Sequence, residues 1–223
     1  MKKKMSEEEL FEELFIRYPA LESCRDDTKR AFEACVLAYE RGGKLLVAGN
    51  GGSAADSEHI VGELMKSFLL KRPADEKLCA ALKENFGEEG ERMAACIEGT
   101  LCAIPLTSMP ALSTAFLNDV DPLMTYAQML SGYGREGDVF IGITTSGNSK
   151  NILNAMMVAK AMGIKTIAFT GGDGGKSRAL ADICVRVPER ETFKVQEYHL
   201  PVYHALCAML EAHFFGNTAQ FRQ

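Results

Sequence analysis

The chain has 223 residues, enough for one domain with a sizeable hydrophobic core. Hydrophobic residues make up 47% and charged residues 25%, a balance typical of globular proteins. The net charge of −5 provides no general attraction to nucleic acids or anionic membranes, so we expect neither as a partner. Any anion that the chain binds must be held by local geometry.

Targeting and redox signals favour a cytoplasmic protein. The first ten residues are basic and then acidic, without the apolar segment of a signal peptide. The sequence contains no run of about 18 apolar residues, so we predict no membrane-spanning helix. Seven cysteines are scattered without a C-x-x-C pair, and most lie in apolar surroundings. We therefore expect buried free thiols in a reducing compartment.

Two helices are predicted over residues 1–42. Ser6 and Glu9 form a capping-box pattern at the start of the first helix. The second helix is predicted from about residue 21 to 40, and Gly42 and Gly43 end it.

Apolar runs and helical patterns alternate along the rest of the chain. The run KLLVAG (44–49) predicts a buried strand, and a helix is predicted over 53–70. Further strands are predicted at LCAIPLTS, DVFIGITTS, KTIAFTG and ICVRVP, and further helices at DPLMTYAQMLSGYG, NSKNILNAMMVAKAMG, GKSRALA and about 193–215. Continuously apolar strands that alternate with helices predict an α/β fold, a parallel sheet with helices on both faces, in one domain over 1–223.

Three polar loops follow predicted strands: GNGGS (49–53), TTSGNS (144–149) and TGGDGGKS (170–177). Ligands bind beyond the carboxyl ends of parallel strands, so these loops are expected at the binding edge. Glycines let the backbone approach an anion, and a helix N-terminus adds free N–H groups and a positive dipole end. The 144–149 loop, with four hydroxyls and an asparagine, is the preferred phosphate loop.

Two nucleotide-binding patterns are incomplete, and we predict no nucleotide cofactor. GNGGSA fits G-x-G-x-x-A, but KSFLLKRP offers only Lys and Arg where the second strand should end on an acidic residue. The loop ending in Lys176-Ser177 would be a P-loop only with glycine in place of Thr170. We interpret this loop as a tight turn that caps the next helix, with ligand contact as the alternative.

Two helices carry side chains suited to metal binding or acid–base chemistry. His59 and Glu63 lie four residues apart and share a helix face. The last helix adds Gln196, His199 and His204 near apolar residues, with about 12 Å of rise between Gln196 and His204. A solvent-facing hydrogen-bonded pair and ordinary core histidines explain this spacing as readily as a functional cluster does, so the spacing leaves both open.

Several stretches together resemble the phosphoheptose isomerases of the sugar isomerase (SIS) domain superfamily. They are LLVAGNGGSAADSEHIVGEL, LNDVD, GDVFIGITTSGNSKNIL, TGGDGGKSRALADICVRVP and VQEYHLPVYHALCAMLE, which cover most of 20–215 in order. The resemblance implies a five-stranded parallel sheet between helices, in a homotetramer with active sites between subunits. It also implies conversion of sedoheptulose 7-phosphate to D-glycero-D-manno-heptose 7-phosphate.

The resemblance also assigns site residues by motif position. Substrate contacts would come from Asn50, Gly51, Gly52, Asn118, Asp119, Glu63 and Gln196, and the phosphate would lie on Thr144, Thr145, Ser146 and Ser149. One zinc ion per subunit would be held by His59, Glu63, Gln196 and His204. The reaction moves a carbonyl between C1 and C2 through an enediol, and we assign Glu63 as base and His204 as acid.

The chain departs from the family in two places. An insertion of about 27 residues over 74–100 shows helical spacing and predicts two short helices. We interpret it as a surface elaboration, with a lid or an altered subunit contact as the alternative. Pro201 lies inside the last helix, where it should kink or loosen one turn.

Two other functions fit the same motifs. A non-catalytic SIS-domain protein could bind a phosphosugar or act as a scaffold, and an isomerase could act on a different phosphosugar. The joint presence of His59, Glu63, Gln196 and His204 favours the enzyme.

Overall fold

A computed structural model describes residues 5–216 and 220–221. Its strands are β1 (Leu45–Gly49), β2 (Leu70–Lys71), β3 (Ala103–Pro105), β4 (Val139–Ile143), β5 (Lys165–Gly171), β6 (Ile183–Val187) and β7 (Gln220–Phe221). Five of them form one parallel sheet in the order β3-β1-β4-β5-β6, while β2 and β7 form a separate antiparallel pair. The predicted five-stranded parallel sheet is confirmed for the described residues.

Helices cover both faces of the sheet. They are α1 (Glu7–Arg17), α2 (Arg25–Glu40), α3 (Gly52–Met65), α4 (Glu76–Cys96), α5 (Pro110–Asp119), α6 (Thr125–Tyr133), α7 (Lys150–Ala161), α8 (Ser177–Leu180) and α9 (Thr192–Phe215). Alternate residues of β1 separate two cores: Leu45 and Val47 face the core shared with α1, α2, α3 and α9, whereas Leu46 and Ala48 face the core shared with α6 and α7. This alternation is the period of two expected for a strand buried on both faces.

The N-terminal helices follow their predicted signals. The Ser6 hydroxyl accepts from the Glu9 N–H at 3.1 Å, and the Glu9 carboxylate accepts from the Ser6 N–H at 2.9 Å, so the capping box is formed. The second predicted helix is divided, because a 3₁₀ segment over Pro19–Cys24 precedes α2. Helix α5 was not predicted from the sequence.

Helix α3 ends at Met65, five residues earlier than the predicted helix over 53–70. The backbone N–H groups of Phe68, Leu69 and Leu70 donate to the carboxylate of Glu211 at 2.7, 2.7 and 2.9 Å. These bonds replace the helical ones, because each N–H can serve only one good acceptor. The chain then turns into β2 and the insertion.

The insertion over 74–100 is a helical hairpin. Helix α4 is broken at Gly87, where φ is +56°, so the predicted pair of short helices is confirmed. Gly90 is its buried residue, packed against the backbone of Leu82 in the other arm. Large apolar side chains such as Leu78 and Phe86 are exposed. The hairpin is a surface element in this chain, and its alternative role as a lid or subunit contact stays a prediction.

The remaining sequence-based expectations concern α9, the cysteines and membranes. Helix α9 continues through Pro201. All seven cysteines are free; Cys24, Cys35, Cys184 and Cys207 are buried, whereas Cys79 is half-buried and Cys96 and Cys102 are exposed. Within the described residues, no helix combines the length and apolar character needed to cross a membrane.

Candidate active site

The carboxyl ends of β1 and β4 form a switch point in the sheet. Strand β1 lies between β3 and β4, so the chain leaves β1 and β4 toward opposite sides, and a crevice forms between the two loops. Asn50, after β1, and Asn151, in the first turn of α7, bridge this crevice by two amide hydrogen bonds of 2.9 and 2.8 Å. Helices α3 and α7 both begin here, so an anion at this edge would meet the N–H groups of two helix N-termini. Asn151 was not identified from the sequence.

The 144–149 loop presents hydroxyls at this edge. Thr144 is 3% exposed, and its Oγ1 lies 2.9 Å from Ser149 Oγ, so this hydroxyl shapes the loop. Ser146 is exposed and accepts from the Asn148 N–H at 3.2 Å, while Thr145 and Ser149 are half-buried. The four hydroxyl residues predicted to hold phosphate thus form one loop, with Ser146 facing solvent most openly.

The 170–177 loop supports the 144–149 loop from behind. The Ser177 N–H donates to the Gly147 carbonyl at 3.0 Å, and the Lys176 N–H donates to Asn148 Oδ1 at 3.1 Å. The structure therefore favours the interpretation of this segment as a turn before the short helix α8.

Gly147 is the point of closest approach between these two loops. Its φ is +67°, and a Cβ at this position would overlap the carbonyl of Gly174. We expect Gly147→Ala to weaken sugar-phosphate binding about tenfold or more, because left-handed backbone strain of 1–3 kcal/mol adds to the overlap. Isothermal titration calorimetry would measure the change. Gly132→Ala is the control, since a Cβ there meets no atom within 4 Å; equal affinities for the two variants would contradict the prediction.

His59, Glu63 and His204 come together between α3 and α9. His59 Nε2 lies 3.5 Å from His204 Nε2 and 3.4 Å from Glu63 Oε1. The two helices pack in parallel directions, with Cys207 one turn further along α9, near the Ile60 carbonyl. Burial, with help from His59, lowers the pKa of His204, so its imidazole is neutral at pH 7. The predicted acid and base thus lie on either side of His59.

Further groups fix the Glu63 carboxylate. Its Oε2 lies 2.6 Å from the Lys66 ammonium, and only 12% of its side chain is exposed. The guanidinium of Arg72 donates to the main-chain carbonyl of Glu63 at 2.8 Å and so holds the backbone that carries this side chain. Neither cation was identified from the sequence, although Lys66 lies at the i+3 spacing that places two side chains on one helix face.

The other predicted site residues lie elsewhere in the chain. Gln196 packs against the 49–53 loop, since a Cβ on Gly52 would lie 2.6 Å from its Nε2. Eight residues, or about 12 Å of helix rise, separate Gln196 from His204. Asn118 and Asp119 end α5 and are joined by a 2.7 Å hydrogen bond. The structure thus brings three of the four predicted metal ligands together and leaves Gln196 at the loop.

His199 belongs to the core. It is fully buried, and burial lowers its pKa to about 4. Its Nε2 lies 3.3 Å from the Thr170 carbonyl, to which the neutral ring donates. Of the two explanations left open by the spacing, the structure places His199 in the core, with its buried Nδ1 unpaired within the described residues.

A parallel sheet with a hydroxyl-rich loop at its switch point is the architecture of the SIS domain, and the SIS domain family model matches residues 18–100 and 97–171. Among curated proteins, the phosphoheptose isomerase of Aneurinibacillus thermoaerophilus is 38% identical over 82% of this chain and 79% of the relative. That of Akkermansia muciniphila is 34% identical over 90% of this chain and 92% of the relative. The solved phosphoheptose isomerase of Neisseria gonorrhoeae has a TM-score of 0.71 and 30% identity over 91% of this chain and 95% of that one. The chain belongs to the phosphoheptose isomerase family.

Proposed function

We propose that this protein interconverts sedoheptulose 7-phosphate and D-glycero-D-manno-heptose 7-phosphate. The observation that carries the proposal is the convergence of Glu63 and His204 on His59, in a chain of this family. A carboxylate beside a neutral imidazole supplies the base and the acid that the isomerisation needs.

The groups of the site divide the reaction between them. The hydroxyls and helix N-termini at the 144–149 loop hold the phosphate. Glu63 takes a proton from C1 of the ketose, and His204 gives a proton to the C2 oxygen, which produces an enediol. Return of the proton from Glu63 to C2, with transfer of the O1 proton to His204, gives the aldehyde and restores both side chains. The Lys66 ammonium pairs with the second oxygen of the Glu63 carboxylate and holds it in place beside His59.

We propose zinc as the metal of this site, held by His59, His204 and Glu63. The donor types suit zinc, and His59 Nε2 lies 3.5 Å from His204 Nε2 and 3.4 Å from Glu63 Oε1. Among residues 5–216, no three His, Cys, Asp or Glu side chains form a preformed metal site, so the side chains must open slightly around an ion. Gln196 does not reach this point in the present arrangement. Bound zinc would stabilise the negative charge that develops on the substrate oxygens.

We further propose that each active site is built from two subunits of a homotetramer. Helix α3 returns along the sheet after β1, which carries His59 about 10 Å from Gly52 and away from the phosphate loop. His59 is 42% exposed. The exposed side chain of Leu69 lines the same cavity as His204, and exposed Leu200 lies one helical turn before His204 on α9. Exposed apolar groups around a polar cluster are typical of an interface. The 144–149 loop of a neighbouring subunit would complete the site.

Mixing two impaired variants tests this arrangement, with the substrate well below its KM so that weaker binding lowers the rate. Glu63→Gln removes the base from one surface, and Gly147→Ala damages the loop on the other. If the two surfaces meet between subunits, co-refolded mixtures are more active at low substrate than either variant alone. Native mass spectrometry would verify that mixed oligomers form, and mixed oligomers without activity would contradict the proposal.

Incubation of the pure protein with sedoheptulose 7-phosphate, followed by NMR, tests the function itself. We expect the aldose 7-phosphate to appear. Tight sugar-phosphate binding without turnover, with or without added zinc, would support the non-catalytic alternative. Turnover of a different phosphosugar alone would support an isomerase with another substrate. We place the protein in the cytoplasm, which its free cysteines support.

A further inference from the structure

The reaction proposed for Glu63 and His204 does not use the hydrogen bonds that connect His59 to Tyr203 and Asp56. Tyr203 is 1% exposed and lies between α3 and α9. Its hydroxyl is 3.0 Å from His59 Nδ1 and 3.3 Å from Asp56 Oδ1. Its ring also meets both imidazoles edge-on, with centroids 5.5 Å from His59 and 5.0 Å from His204.

The direction of these bonds follows from counting hydrogens. A tyrosine hydroxyl has one hydrogen, and an ionised carboxylate can only accept. The second oxygen of Asp56, Oδ2, is buried and has no partner within the described residues. The hydrogen bond to this carboxylate therefore comes from the Tyr203 hydroxyl, which donates to Oδ1. Once its hydrogen lies toward Asp56, the Tyr203 oxygen can only accept from His59 Nδ1.

We propose that Asp56 and Tyr203 are positioning residues that fix the tautomer of His59, with its hydrogen on Nδ1 and the lone pair on Nε2. The lone pair then faces the Nε2 atom of His204, from which it can accept at 3.5 Å, and no hydrogen bond joins it to the Glu63 carboxylate. Such an outer hydrogen bond sets which ring nitrogen is available to a proton or a metal. The catalytic part of this inference rests on the proposed isomerase function; the tautomer itself does not.

Nitrogen NMR of the full-length protein labelled with ¹⁵N-histidine reads the tautomer directly. The chain has four histidines, and His199→Gln and His213→Gln variants assign two of them away from the site. For the wild-type protein we expect a protonated Nδ1 and an unprotonated Nε2 at His59. A hydrogen on Nε2 of His59 in the wild type would overturn the proposal.

Two variants should change this signature in different ways. Tyr203→Phe keeps the ring that contacts both histidines but removes the hydroxyl, so the His59 shifts should average between both tautomers. Asp56→Ala removes the acceptor, so Tyr203 turns to donate to Nδ1 and the hydrogen moves to Nε2. A purely structural role would not reverse the tautomer in one variant and average it in the other. Unchanged His59 shifts in both variants would overturn the proposal.

Kinetics provide the second measurement. We expect Tyr203→Phe to lower kcat about 10- to 100-fold, the range for loss of an outer hydrogen bond to a functional histidine, with KM near the wild-type value. Tyr39→Phe is the matched control, because its hydroxyl bonds to the Cys102 carbonyl outside the site. If the shifts change as expected but no sugar phosphate is turned over, the proposed function fails and the tautomer assignment stands. Altered shifts with unchanged kcat would remove the positioning role.

Discussion

Glu63→Gln is expected to lower kcat about 10³-fold while sugar-phosphate affinity stays near the wild-type value. The amide has nearly the shape of the carboxylate and can still contact His59 and a substrate hydroxyl. It cannot take a proton from carbon, which is the step that we propose for this side chain. Steady-state kinetics with sedoheptulose 7-phosphate and calorimetric titration measure the two quantities separately.

Glu58→Gln is the matched control for that experiment. Glu58 lies on the same helix, but its carboxylate is exposed and accepts from the hydroxyls of Thr107 and Ser108 at 3.1 and 2.9 Å. We expect near wild-type kcat from this variant. The zinc content of each preparation distinguishes loss of the base from loss of metal. Retained activity in Glu63→Gln, or its recovery with excess zinc, would remove Glu63 from the role of base.

Elements whose signals are local could be predicted from the sequence. The pair Ser6 and Glu9 predicts the start of α1 because the capping box needs only those two side chains and their own backbone. The run KTIAFTG predicts β5 with its observed bounds, since a strand buried on both faces is a short apolar run ended by glycine. The hydroxyls and glycines of the 144–149 loop indicate an anion site by composition alone.

Elements that depend on distant residues could not be predicted in the same way. The end of α3 is set by Glu211, about 140 residues further along the chain, so nothing near Met65 marks it. Helix α5 has only ten residues and buries none of its side chains, so Leu112 and Phe116, four residues apart, provide only a weak helical signal. The predicted metal set shows the same limit, because a separation of eight residues does not determine whether Gln196 turns toward His204 or toward Gly52.

The buried pair of Arg72 and Glu211 should carry the largest stability effect in the chain. Arg72 is 1% exposed and Glu211 is fully buried, with 2.7 Å between Nε and Oε1. Every polar group of the pair has a partner: Glu211 also accepts three backbone N–H groups, and Arg72 donates to the carbonyls of Leu64 and Glu63 at 2.6 and 2.8 Å. Such a pair need not exceed an apolar replacement in stability, but losing one partner leaves a charge buried.

We expect Glu211→Leu to lower the free energy of unfolding by about 3–5 kcal/mol. The substitution leaves a buried guanidinium without its carboxylate partner and three backbone N–H groups without an acceptor. Arg72→Met should destabilise less, since the carboxylate keeps its three N–H donors. Urea unfolding at fixed protein concentration measures the free energy of unfolding of both variants. If Glu211→Leu does not fold, Glu211→Gln replaces it in the comparison. Arg92→Met, which breaks an exposed ion pair with Glu89, is the control and should stay near the wild-type stability.

The order of these stabilities separates two accounts of the pair. If the ion pair alone mattered, Arg72→Met and Glu211→Leu would lose similar amounts. If Glu211 acts mainly as the acceptor that ends α3, its loss should be the greater and should also lower kcat, since the helix end carries Glu63. A greater loss in Arg72→Met, or stabilities equal to that of Arg92→Met, would contradict this account. An unchanged kcat in Glu211→Leu would show that the residues that end α3 have no part in holding the carboxylate of Glu63 in place.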